Sequence, residues 1–282
     1  LDIPALNYLF KRVENKKRAD IEFEIELSDK STKWVLGSMN QSKTTGEYIL
    51  VVHDITQLRQ LNSMRRDFIS NLSHELRTPV SVIRANSETL LGGALESKKD
   101  AKVFAKAILH NSERLSDMVT DLIDLSRIEY GDLKLNIKKV DLKTFIDEFT
   151  LSIESLTKKK DIEIINKLNH EEFVKADLQA LERIMNNLVD NALKYSEKGS
   201  SIVISTIKEN QHIKIMVSDN GIGISEEDKN HIFDRFYRTA SARASDKQGS
   251  GLGLAIVKNL TNSLNGEVGV DSRDPNGSIF WF

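Results

Sequence analysis

The chain has 282 residues, a formal net charge of −2 and no cysteine, with a pI near 6.4. That length allows two or three separately cored domains, and the even charge balance without a basic block speaks against nucleic acid as a partner. Missing thiols exclude disulfides, cysteine nucleophiles and thiolate metal sites, and they suit a reducing compartment. The longest apolar run, Tyr48 to Val52, falls far short of the roughly 20 residues that cross a bilayer, so no transmembrane segment is expected in this stretch. Beginning at Leu1 and ending on the strand-like "SIFWF", the sequence reads as an excised piece of something longer.

Residues 21–54 read as antiparallel β. "IEFEIEL" alternates Ile21, Phe23, Ile25 and Leu27 with three glutamates, the period of a strand with one wet face. The turn "SDKS", the strand "KWVLGSMN", the turn "TTGE" and the strand "YILVVHDI" complete a meander with too few strands for an independent domain. After Thr56 the period changes. Leu58, Leu61, Arg65, Phe68 and Leu72 are spaced 3, 4, 3, 4, a coiled-coil seam, and the series then slips to 4, 4 through Leu76 and Val80. Inside that slip lies "SHELRTP", residues 73–79. His74 stands about 200° around the helix from Leu72, so its imidazole is expected to face solvent.

Gly92 and Gly93 break this helix, and a second helix carries Ala101, Phe104, Ile108, Asn111, Leu115, Met118, Leu122 and Leu125 at the same spacings. Two long helices joined by a short turn make a hairpin with apolar surface to spare, which dimerisation into a four-helix bundle would bury. From about Gly131 onward helical and strand patterns alternate, as expected for helices packed on one sheet.

Three clusters in this last region point to a nucleotide. In "NNLVDNALKYS", residues 186–196, Asn187 and Asn191 share a helix face, with Lys194 and Tyr195 on the same flank. Asn is a mediocre helix former. Its repetition suggests either amide oxygens aimed at hydrated Mg2+ with Lys194 near phosphate, or simply a polar face. In "DNGIGI", Asp219 ends an apolar strand as a candidate acceptor for an adenine amino group, and Gly221 and Gly223 let backbone turn and approach a ligand. In "GSGLGL", Gly249, Gly251, Leu252 and Gly253 open a helix whose free amides favour phosphate. Neither a Walker nor a Rossmann pattern fits there. Between the glycine clusters, "FDRFYRTASARASDKQ" reads either as a flexible cationic lid carrying Arg235, Arg238, Arg243 and Lys247, or as a solvated loop.

Taken in order, "SHELRTP", "NNLVDNALKYS", "DNGIGI", "FDRFYR" and "GSGLGL" resemble the sensor histidine kinases of two-component systems, over about residues 65–282. "LVVHDITQLRQL" is similar to the end of a PAS domain leading into a signalling helix. The resemblance implies a multidomain α+β chain. Residues 1–55 would be the C-terminal part of a PAS-like sheet, 56–130 a signalling helix and dimerising phosphotransfer hairpin, and 131–282 an α/β-sandwich ATP-binding domain of the Bergerat type. It implies ATP and Mg2+ as cofactors, a homodimer, a response-regulator receiver domain as partner, and a cytoplasmic portion of a membrane-anchored bacterial sensor.

By the same resemblance His74 is the phosphoacceptor and Glu75 its base or orienting group. Thr78, four residues on, would place water against a regulator's phosphoaspartate, making the chain a bifunctional kinase and phosphatase. Asn187 and Asn191 would hold Mg2+, Lys194 and Arg238 would neutralise phosphate, Asp219 would select adenine, and Tyr195 would stack on it. The family often carries Arg and Gln where this chain has Ala180 and Arg183. Pro79 removes a helix donor next to the nucleophile, so a bend that responds to signal is expected there. Gyrase- or Hsp90-like ATPases lack such a phosphoacceptor helix. A scaffold with a dead catalytic half is disfavoured by the intact Asn, Asp and Gly motifs.

Overall fold

A computed structural model describes residues 4–27, 30–42, 45–129, 131–168, 172–210, 212–245, 249–274 and 276–282. The chain divides into two compact units, Leu1–Ser73 and His74–Phe282.

In the first unit, helix α1 (Pro4–Lys16) precedes strands β1 (Arg18–Glu26), β2 (Thr32–Gln41) and β3 (Tyr48–Asp54), an antiparallel sheet in the order β1-β2-β3. The meander is the expected one, but the helix in front of it is an addition. Pro4 occupies the first helical position, where its missing N–H costs nothing, and Lys17 (φ 62°) closes the helix by donating to the Val13 carbonyl at 2.8 Å. Leu9 and Val13, four apart on one face, join Ala19 and Met39 in a small core. Gly37 makes room for this packing: a Cβ there would lie 2.9 Å from the Phe23 ring and 3.1 Å from Leu9. Along β1, Ile21, Phe23 and Ile25 are half-buried and the intervening glutamates exposed. Every residue of β3 is exposed.

Helix α2 (Thr56–Leu91) starts where the Thr56 amide donates to Asp54 Oδ1 at 2.9 Å. It runs unbroken for 36 residues with Pro79 inside it. Gly92 and Gly93, the latter at φ 124°, stop it, and after a single 3-10 turn at Ala94–Glu96 helix α3 (Lys98–Glu129) follows. This is the hairpin read from the sequence.

The remainder holds β4 (Lys138–Asp141), α4 (Leu142–Lys160), β5 (Glu163–Asn166), β6 (Phe173–Ala176), α5 (Leu178–Tyr195), β7 (Ser201–Glu209), β8 (His212–Ser218), α6 (Glu226–Lys229), α7 (Ala240–Ala244), α8 (Gly253–Ser263), β9 (Gly269–Ser272) and β10 (Ser278–Trp281). Five strands form a mixed sheet in the order β5-β7-β8-β10-β9, and β4 pairs with β6. Only β5 and β7 run parallel within the five-stranded sheet. The apolar sides of α4, α5 and α8 meet this sheet in one core that includes Ile146, Ile184, Leu188, Ile202, Val217 and Ile256, all essentially inaccessible. The chain is thus mixed helix and sheet, with a helical hairpin followed by an α/β lobe. Among the described residues, no helix is long and apolar enough to cross a membrane.

Candidate phosphoacceptor and nucleotide sites

On α2, His74 is exposed, as its angular offset from Leu72 requires. Glu75 points toward the other arm of the hairpin, where its Oε2 lies 3.2 Å from Nη2 of Arg114 on α3. Thr78, one turn after His74 and also exposed, donates from Oγ1 to the His74 carbonyl at 3.3 Å. Pro79 is buried, the one residue of α2 that is. His74, Glu75 and the Thr78 hydroxyl therefore share two turns of one helix, with Glu75 fixed by a cation from the neighbouring helix.

The nucleotide motifs meet around α5. Asp177 caps that helix, accepting from the Ala180 amide at 2.9 Å and from the Asn136 amide at 2.7 Å, which fixes where its asparagines lie. Asn187 Nδ2 donates to the Arg183 carbonyl at 2.8 Å, which turns Oδ1 toward the start of α8. A Cβ on Gly253 would sit 2.6 Å from that oxygen. The glycine therefore lets the amide oxygen and the free amides of the α8 N-terminus face one space. Asn191 is half-buried on the same flank, and Lys194 pairs with Asp190 at 2.6 Å. Leu252 is fully buried and anchors the glycine loop in the core.

Asp219 follows β8 and is only 4% exposed. Its Oδ1 accepts from the Gly221 amide at 2.7 Å and the Ser278 amide at 3.3 Å. Burial pushes its carboxyl above the ordinary range, against the two amides and the charge of Arg273, which pull it down. Gly221 packs beside the Tyr195 backbone, where a Cβ would come within 3.0 Å of the carbonyl oxygen. Gly277, at φ 125°, presses on the Asp219 carbonyl so closely that any Cβ would overlap it. Arg273 donates from Nη1 to that carbonyl at 3.2 Å and to Asn220 Oδ1 at 3.1 Å. The C-terminal hairpin thus braces the acidic turn from behind. The Asp219 motif carries no sequence signal for these partners, which lie more than fifty residues away.

The segment expected as a lid has local structure through residue 245; Asp246 and Lys247 lie outside the described residues. Phe233 is in the core. Phe236 holds φ 61°, rare for an aromatic residue, and donates its amide to the Gly251 carbonyl at 2.8 Å. Gly251 (φ 71°) has no room for a side chain against the Phe236 backbone. Thr239 caps α7, Arg238 Nη2 donates to the Ala242 carbonyl at 2.6 Å, and Arg243 Nε to the Arg238 carbonyl at 3.0 Å. So the structure brings together Asn187 with Gly253, Tyr195 with Gly221, and Gly251 with the start of the lid segment. Among the described residues, nothing lies within 4 Å of the place a Cβ on Gly249 would take. Gly223 takes φ 73° beside Gly277. Arg238 and Lys194 are engaged locally.

These residues suit Mg2+ with a polyphosphate. Mg2+ keeps several waters and takes its charge balance from phosphates, so two neutral amide oxygens beside a helix N-terminus are an adequate protein share.

Residues 64–131 match the family described as His Kinase A (phospho-acceptor) domain. Residues 176–282 match the family described as Histidine kinase-, DNA gyrase B-, and HSP90-like ATPase. This chain belongs to the sensor histidine kinases. It is 38% identical over 232 residues to the sensor-like histidine kinase SenX3 of Mycobacterium tuberculosis, across 82% of this chain and 56% of the relative. It is 32% identical over 282 residues to the sensor histidine kinase WalK of Bacillus subtilis, across 98% of this chain and 46% of that protein. The solved structure of the Acinetobacter baumannii histidine kinase AdeS covers 74% of this chain and 95% of its own, with a TM-score of 0.61 and 28% identity. The chain spans about half the length of the curated relatives it matches. Within this family the two matched regions are those that hold the exposed His74 and the Asn187–Gly253 space.

Proposed function

We propose that this protein phosphorylates itself on His74 from Mg-ATP and passes the phosphoryl group to an aspartate of a response-regulator receiver domain. The observation that carries this reading is an exposed histidine beside a fixed carboxylate, on the hairpin that precedes an α/β lobe in which helix α5 meets the glycine loop at Asn187 and the buried Asp219 turn at Tyr195. Asp219 accepts from the adenine amino group, and Tyr195 flanks the base. Gly249, Gly251, Leu252 and Gly253 offer backbone amides to phosphate, with Gly221 and Gly223 shaping the adenine end. Asn187 and Asn191 would hold Mg2+, which would supply positive charge to the transferring phosphoryl group. Lys194 and Arg238 turn from their local partners to the phosphates.

A ring nitrogen of neutral His74 attacks the γ-phosphorus. The nitrogen lone pair forms the N–P bond while the β–γ bridging P–O bond breaks, and ADP leaves with that electron pair. Glu75, held by Arg114, orients the ring through its remaining N–H. Phosphoryl transfer to a regulator's carboxylate reverses the logic at the same nitrogen.

The three-part division into 1–55, 56–130 and 131–282 belongs to the same proposal, as do the PAS-like character of the first part, a homodimeric four-helix bundle, and a membrane-anchored parent with this portion in the cytoplasm. So does the phosphatase activity, for which Thr78 lies on the right turn of α2. Incubation with labelled Mg-ATP tests the central claim: acid-labile, alkali-stable label is expected on wild type and none on His74→Ala. Label retained in that variant would overturn it. Thr78→Ala is expected to slow dephosphorylation of the regulator with autophosphorylation intact, and an unchanged dephosphorylation rate would remove Thr78 from that role.

A further inference from the structure

Arg183, the departure from the family pattern noted above, lies one turn before Asn187 on α5. Its Nη2 sits 2.6 Å from Asp121 Oδ1 and 3.1 Å from Asp124 Oδ2, and both carboxylates belong to α3 of the hairpin. Asp117, Asp121 and Asp124 are spaced four and three residues apart and form an acidic ridge on one flank of α3. Lys194, also on α5, lies close enough to lower the Asp121 pKa, and Asp117 and Asp124 are close enough to raise it; burial raises it most. Helix α8, whose first residues face Asn187, packs along α3 as well. The two helices that carry the phosphate end of the nucleotide site are therefore seated on the hairpin.

Where they are seated matters. The Glu75–Arg114 contact fixes which part of α3 stands level with the phosphoacceptor turn. Asp121 and Asp124 come seven and ten residues later, so the contact with Arg183 is about 10 to 15 Å further along the helix axis. His74 remains exposed in this arrangement. The contact is also a costly one to hold. Asp121 is 17% exposed, two carboxylates share one guanidinium, and Arg183 Nε is buried with no partner among the described residues. Such a cluster fixes geometry more than it adds stability, and removal of either charge leaves the other without its partner.

We propose that the acidic ridge of α3 is a docking surface for Arg183 of α5, and that Arg183 latches the nucleotide lobe there in a resting arrangement that must open before phosphate reaches His74. The proposal rests on the kinase reading above and adds the contact that restrains it. Arg183 acts through the position of the lobe and touches neither ATP nor His74.

The test uses the full chain, with initial rates of His74 labelling and a Mg-ATP binding titration for each variant. Arg183→Gln and Asp121→Asn are each expected to raise the labelling rate on the order of three- to tenfold, because rate scales with the fraction of lobes released. Their ATP dissociation constants should stay at the wild-type value. The exchanged pair Arg183→Asp with Asp121→Arg should bring the rate back toward wild type. As a locking arm, Arg183→Cys with Asp124→Cys, the only thiols in the chain, joined by a short bis-maleimide, should abolish labelling while ATP still binds. A lower or unchanged rate in Arg183→Gln, a weakened ATP affinity, or full activity in the cross-linked protein would each overturn the latch. Labelled wild type combined with any of those results confines the failure to the latch. A wild type that takes no label refutes the kinase reading and the latch with it.

Discussion

Asp219 shows most directly how one side chain trades stability for recognition. It is nearly inaccessible, yet the adenine contact proposed for it uses the ionised form as an acceptor. Because burial raises its folded pKa above the unfolded value of about 3.9, the folded state binds the proton more tightly between those two values. Stability therefore falls as pH rises through that window, and the ionised carboxylate costs stability at neutral pH. Binding runs the other way: ATP affinity should decline on acidification at a pH higher than a solvent-exposed aspartate would dictate. Asp219→Asn keeps an oxygen for the Gly221 and Ser278 amides but loses the charge. It should leave the melting temperature of the nucleotide-free protein unchanged or higher and weaken ATP binding by about 10- to 100-fold, the equivalent of a charge-assisted hydrogen bond. Melting curves and ATP titrations across pH 5 to 8 measure both arms, and parallel losses in the two would contradict the argument.

Among the elements, α5 carries the most of the proposed site and depends on its cap. Asp177 satisfies one amide of its own helix and another from Asn136, some forty residues earlier. Asp177→Ala should cost about 1–2 kcal/mol in denaturant unfolding of the second unit and raise the ATP dissociation constant as Asn187 loses its fixed direction. Helix α1 offers the contrast. Leu9→Ala, at a fully buried position, should cost about 2–5 kcal/mol, confined to unfolding of the first unit, with ATP binding untouched; differential scanning calorimetry with and without nucleotide separates the two. These two helices also show what is readable in a sequence. The Asn helix, both glycine clusters and the hairpin were legible because their signals are local: fixed spacing, a period of 3.5, a glycine where a turn is needed. Helix α1 spans only 13 residues, and Leu6, Leu9 and Val13 alone mark its inner face, so it passed unread beside the strong alternation of β1. The brace on Asp219 from Arg273 and Gly277, and the pairing of Arg183 with α3, join residues more than fifty apart. No periodicity encodes such partners; only the folded sheet and hairpin bring them together.

For the whole molecule, the leftover apolar surface sets the expected assembly. Leu58, Leu61, Met64, Ile69 and Val80 on α2 are all more than half exposed in the single chain, an amount of apolar area that a second copy would remove from water. Sedimentation at micromolar concentration should show a dimer, and Leu58→Lys with Leu61→Lys should shift it toward monomer; a monomeric wild type at tens of micromolar would count against the bundle. Helix α2 itself is about 54 Å long at 1.5 Å per residue, and Pro79 removes one rung from its ladder, since it has no proton to give the Glu75 carbonyl. A rod weakened at one point does not bend evenly. Strain within such a helix collects at the weak joint, and this joint lies five residues past His74. In the proposed kinase, bending at Pro79 would turn the His74 side of α2 through an angle, so that the helix would work as a gear as well as a support.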